Sequence, residues 1–97
     1  MLNISVLTNE NTLELVPVGR LDTVTAPQLQ AVINDNLEGV DNIAIDCTAL
    51  SYISSAGLRV LLTARKSIQG ELTLKNVDPS VREVLEITGF VDILTIE

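Results

Sequence analysis

Two adjacent serines, Ser54 and Ser55, followed by Ala56-Gly57-Leu58-Arg59, form the stretch best equipped for chemistry in this chain. They lie where an apolar run ending near Cys47 gives way to a helical pattern. Either hydroxyl can cap a helix. Backbone N–H groups are also unpaired at such a start and the macrodipole is positive, so the same place favours an oxygen that carries phosphate. Capping and modification are compatible. Two acidic residues, Asp22 before the first helical pattern and Asp46 near the end of a strand pattern, offer carboxylates for Mg²⁺ or acid–base work. The simpler role for both is a cap or a solvated loop acid.

Nucleophilic serine chemistry lacks its usual parts. The chain contains no histidine, which removes the commonest general base and the commonest metal ligand. A nucleophile elbow needs Gly two residues before its serine, and here Ile53 stands two before Ser55. Lys66 and Lys75 leave a Ser–Lys arrangement formally open, with nothing in the sequence to bring either lysine to the hydroxyls. Neither a phosphate-binding P-loop nor a G-x-G-x-x-G fingerprint occurs. No cofactor and no metal site are expected, and no enzymatic activity.

The elements that must position these residues follow from periodicity. Leu2, Ile4 and Val6 alternate with polar residues, and Asn9-Glu10-Asn11 makes a turn. Thr12 to Val18 then carries Leu13 and Leu15, which together predicts a β-hairpin. Pro17 lacks an N–H, so the end of this second strand is expected at an edge or a bulge. Thr25 and Gln28 fit a capping box with Pro27 in the first turn. Leu29, Val32, Ile33 and Leu37 give that helix one apolar face, with Gly39 as its stop. Ile43, Ile45 and Cys47 mark a central strand. Leu58, Leu61, Ala64 and Ile68 stripe a second helix that starts at Ser54 or Ser55 and ends before Gly70. Leu72 to Val77 reads as a strand. Asp78-Pro79 caps a third helix bearing Val81, Val84 and Leu85, Gly89 closes it, and Val91 to Ile96 reads as a last strand. The predicted order is ββαβαβαβ. Long crossovers make the later strands parallel, and crossovers of one hand place the helices on one face of a mixed sheet. The other face is left unclaimed, free to be exposed or to meet a second copy.

Composition bounds the partners. The chain has 97 residues, 46% hydrophobic and 20% charged, with 6 basic against 13 acidic side chains and a net charge of −7. That predicts one small domain spanning 1–97 with shallow sites. An acidic surface repels nucleic acid and anionic membranes, so protein partners are expected. A lone Cys47 has no disulfide partner and reads as a core residue. The first residues lack a signal-peptide pattern, and no apolar run spans a membrane, so a cytoplasmic location is expected.

Gly19-Arg20-Leu21-Asp22 before the first helix and Tyr52-Ile53-Ser54-Ser55-Ala56-Gly57-Leu58-Arg59-Val60-Leu61-Leu62 at the second resemble the STAS-domain family of bacterial anti-sigma factor antagonists. The likeness extends over essentially the whole chain. It implies an α/β fold with a mixed sheet, an N-terminal hairpin and helices largely on one face. It also implies a function: the unphosphorylated protein binds an anti-sigma factor serine kinase of the GHKL type and releases sigma factor. Phosphorylation of the loop serine, which by motif is Ser55 with Ser54 as alternate, would end that binding, and a PP2C-type phosphatase would restore it. Asp22 corresponds to an acidic residue implicated in kinase contact. With Ser54, Ala56, Gly57 and Leu58 it makes up the expected partner-binding set. Many phosphorylated members carry Asp immediately before the acceptor and Gly after the Gly-Leu pair, where this chain has Ser54 and Arg59. That departure keeps a second reading open, an unphosphorylated STAS adaptor in a transport or scaffold complex. A monomer or weak dimer is expected.

Overall fold

Strands β1 (Asn3–Asn9) and β2 (Thr12–Leu21) form an antiparallel hairpin closed by Glu10 and Asn11, with Glu10 at φ 56°. The structure is a computed structural model and describes residues 2–97. Helix α1 (Ala26–Asp35) leads to β3 (Asn42–Asp46), followed by a short strand β4 (Leu50–Ile53) and helix α2 (Ser55–Lys66). Strand β5 (Leu72–Lys75), helix α3 (Pro79–Ile87), a 3-10 turn at Phe90–Asp92 and strand β6 (Thr95–Ile96) complete the order.

The sheet runs β1-β2-β3-β5-β6, with β4 attached to β2 beyond the end of β3. Among the described residues only β1–β2 is antiparallel; β2–β3, β2–β4, β3–β5 and β5–β6 are parallel. The mixed α/β architecture and the central place of β3 agree with the periodicity. Leu13, Leu15, Ile43, Ile45, Leu72 and Leu74 are aligned by register on one face and almost fully buried. Leu29 and Ile33 of α1, Leu58, Leu61 and Ala64 of α2, and Val81 and Leu85 of α3 pack into the same core. That burial is the main driving force for docking three short helices on one side. The other face leaves Val16, Val18 and Tyr52 exposed.

Several local expectations change. Strand β4 was not expected; the Thr48-to-Gly70 segment read as loop and then helix. Its burial runs Leu50 in, Ser51 and Tyr52 out, Ile53 in, and its register against β2 slips between Gly19 and Arg20. That irregularity breaks the alternation a sequence pattern relies on. Strand β2 continues to Leu21 instead of ending at Val18. Pro17 pairs with Ile4 of β1 on one side and is unpaired on the other, where β3 follows β2 only up to Leu15 and β4 only from Gly19; the irregularity expected at the end of this strand falls between Gly19 and Arg20.

Thr25 and Gln28 do not form the expected capping box. The Thr25 side chain makes no cap bond to the helix, and Gln28 Nε2 donates instead to the Leu2 carbonyl. Helix α1 ends at Asp35, and Gly39, at φ 75°, turns the chain after it. Strand β5 stops at Lys75 because Asn76 is left-handed, at φ 56°. The last strand shrinks to Thr95–Ile96. Gly89 at φ 81° starts a turn in which Ile93 and Leu94 N–H both donate to the Phe90 carbonyl, so this apolar segment curls onto the core.

Candidate functional site

Leu21 and Ile53, the last residues of β2 and β4, are register partners in parallel strands. The residues after them, Asp22 and Ser54, therefore leave the sheet at the same end, tied by a 2.9 Å bond from Ser54 N–H to the Leu21 carbonyl. The unexpected strand β4 is what brings the two sequence motifs together.

The serines divide the work at the start of α2. Ser54, in extended conformation, is the N-cap: its Oγ accepts from Gly57 N–H at 3.3 Å and its carbonyl accepts from Leu58 N–H at 3.0 Å. Ser55 is the first helical residue and is exposed, and among the described residues its Oγ has no hydrogen-bond partner. The first turn contains no acidic residue. A free hydroxyl thus sits at the positive end of a helix.

Gly57 and Leu58 face inward. Gly57 is buried, and a Cβ there would stand 2.7 Å from Leu21 Cγ and 3.1 Å from Ile53 Cγ1. What comes close to this glycine is the chain's own β2–β4 end, so the residue allows α2 to seat on the sheet. Leu58 is a core residue. Of the expected partner-binding set, Asp22, Ser54 and Ala56 are partly exposed, beside the exposed Ser55.

Asp22 turns the chain into α1. Its Oδ1 accepts from Thr25 N–H and Val24 N–H, both at 3.0 Å, while Thr25 Oγ accepts from Asp22 N–H and donates to the Arg20 carbonyl at 2.7 Å. The Thr25 N–H above all, with Val24 N–H, holds the carboxyl below the ordinary aspartate range against a smaller opposing effect of desolvation. Arg20 contributes on the other side, its Nε 4.0 Å from Asp22 Oδ2. The Arg20 guanidinium also lies 4.2 Å from the centre of the Tyr52 ring, its cross-strand partner. This Tyr52–Arg20–Asp22 chain was missed in the sequence, because its register exists only once β4 is known.

Asp46 is engaged elsewhere. It accepts from Thr48 Oγ at 2.6 Å, Thr48 N–H at 3.0 Å and Asn76 Nδ2 at 3.2 Å, and the Thr48 hydroxyl is the chief cause of its lowered pKa. Asp22 is thus spent on its own loop and Asp46 on its own loop and the turn after β5, and among the described residues no three potential metal ligands gather. Lys66 ends α2, about 16 Å along the helix from Ser55, and Lys75 stands in register with Asp46. Cys47 is buried, its thiol pushed up to about 12 by desolvation. Between β4 and α3 runs a groove of about 220 Å³ lined mainly by Tyr52, Ile53, Val81 and Val84.

The STAS domain family model matches residues 3–97. BtrV of Bordetella bronchiseptica, a candidate anti-sigma factor antagonist, is 42% identical over 82 residues, covering 80% of this chain and 71% of its own. The anti-sigma-B factor antagonist of Bacillus subtilis is 30% identical over 98 residues, covering 98% of this chain and 90% of its own. The structure of the Bacillus cell fate determinant SpoIIAA in its phosphorylated form superposes with a TM-score of 0.74 at 21% identity, over 98% of this chain and 91% of that one. With its mixed sheet, its one-sided helices and its serine pair at the head of α2, this chain belongs to the STAS-domain family of anti-sigma factor antagonists, regulatory proteins and not enzymes.

Proposed function

We propose that the unmodified chain binds an anti-sigma factor serine kinase of the GHKL type, so that sigma factor is freed, and that phosphorylation of Ser55 reverses this. The observation that carries the reading is the contrast between the serines: Ser54 Oγ is spent on Gly57 N–H, while Ser55 Oγ is exposed and unengaged. In the transfer, Ser55 Oγ attacks the γ-phosphorus of ATP and the β,γ-bridging oxygen leaves with ADP. The hydroxyl proton passes to a base on the kinase, since the chain supplies no histidine. A PP2C-type phosphatase would hydrolyse the ester and restore the free serine. SpoIIAA, known in a phosphorylated form, is the structural precedent for such a modification in this fold.

The switch is electrostatic. Phosphate adds about −1.5 to −2 charges and three acceptor oxygens to the surface made by Asp22, Ser54, Ser55 and Ala56. A net penalty of about 1.4 kcal/mol weakens binding tenfold, and two or three such increments abolish competition with sigma factor. Unpaired N–H groups at the helix start accommodate the phosphate without refolding. The protein would act in the cytoplasm as a monomer or weak dimer; among the described residues no helix is long and apolar enough to cross a membrane. Incubation with the kinase and ATP, followed by mass-spectrometric mapping, should place one phosphate on Ser55. A chain that stays unmodified at both serines would refute the switch. The adaptor reading draws on Ser54 and Arg59, which stand where many phosphorylated members carry Asp and Gly. A pull-down that returns a transporter ATPase and no kinase would favour it.

A further inference from the structure

Building on the reading of Ser55 as the acceptor, we propose that Arg59 is the counter-charge that receives its phosphate, so that the modified helix holds its own anion. Ser55 and Arg59 are four residues apart on α2, which places them on one face with Cβ atoms about 5–6 Å apart. Both are exposed, whereas Gly57 and Leu58 between them face the core.

Arg59 is uncommitted: it makes no ion pair among the described residues, and the first turn of α2 offers no acidic competitor. The other two cations of the helix, Arg65 and Lys66, sit in its last turn, beyond reach of Ser55. Long helical side chains lean toward the N-terminus, which carries the guanidinium back over the turn that begins at Ser55. An anion four residues before a cation is also the order the helix dipole prefers. The N–H groups of Gly57 and Leu58 are already taken by Ser54. The phosphate is therefore left with the first free N–H groups and the planar fork of Arg59, whose donors match phosphate oxygens. The pair favours the dianion over the monoanion, lowering the second pKa of the phosphate and drawing it against the helix.

A chain with phosphoserine inserted at position 55 during translation tests this without the kinase. Its second phosphate pKa is read by ³¹P NMR in the parent chain and in Arg59→Gln, Arg59→Lys and Arg65→Gln. The value should rise by about 0.3 units in Arg59→Gln, less in Arg59→Lys, and stay unchanged in Arg65→Gln. The Arg59→Gln rise should shrink in molar salt. Equal values in the parent and Arg59→Gln would overturn the assignment. A kinase that leaves Ser55 unmodified would instead overturn the functional reading, and the titration would still report on the pair.

Discussion

Ser54 and Ser55 are adjacent and chemically identical, and backbone geometry alone separates them. Ser54, extended, turns its oxygen toward Gly57 N–H; Ser55, helical, turns its own to solvent. Replacing Ser54 with Ala should therefore cost about 0.5–2 kcal/mol in urea unfolding, while Ser55→Ala should change stability by less than about 0.5 kcal/mol and abolish phosphorylation. The reverse pattern would exchange the two roles. Asp22 adds a pH signature. Its folded pKa is depressed by the Thr25 and Val24 N–H groups, so its stabilising effect is present above the ordinary value of 3.8 and is lost as pH falls through the lower, folded one. The stability difference between the parent and Asp22→Asn should accordingly be largest near neutrality and shrink in acid. A difference that grows on acidification would contradict this origin. Sequence supplied the residue types, the hairpin-to-helix setting of Asp22 and its simpler role as a cap or loop acid, but not its bonds to Val24 and Thr25 N–H, which depend on how β2 turns, nor the failure of the Thr25–Gln28 capping box.

At the level of elements, the long periodic segments were readable and the short irregular one was not. The stripe Leu58, Leu61, Ala64 and Ile68 is buried as its spacing predicts. Strand β4 hid because its two buried residues, Leu50 and Ile53, are three apart across a bulge. This short strand has a large consequence, since its pairing with β2 brings Ser54 beside Leu21 and Tyr52 beside Arg20. Gly57 is where α2 meets that pair of strands. A Gly57→Ala chain must displace Leu21, itself buried, and overpacking of this kind costs about 1–3 kcal/mol despite the better helix propensity of Ala. Urea unfolding should show the loss. Stability equal to or above that of the parent would mean that α2 is not seated as closely as the 2.7 Å approach implies.

Across the molecule, the core supports the sheet end at which Asp22, Ser54 and Ser55 lie. Hydrophobic patterning made the sheet-and-helix architecture legible, because most of the buried side chains lie on strands and helices whose periods match their burial. The open sheet face with Val16 and Val18 followed from the handedness of the crossovers. Cys47 reports on the integrity of the core: it is buried, with its pKa at about 12, so alkylation by iodoacetamide should follow opening of the fold and accelerate in urea along the unfolding curve. Rapid labelling of the native chain would contradict a closed core. The account as a whole depends on a charge at Ser55 controlling attachment to the kinase. The most direct measurement is calorimetric titration of the kinase with unmodified chain and with chain carrying phosphoserine at position 55. The unmodified chain should bind at least tenfold more tightly; equal affinity for the two forms would contradict the account.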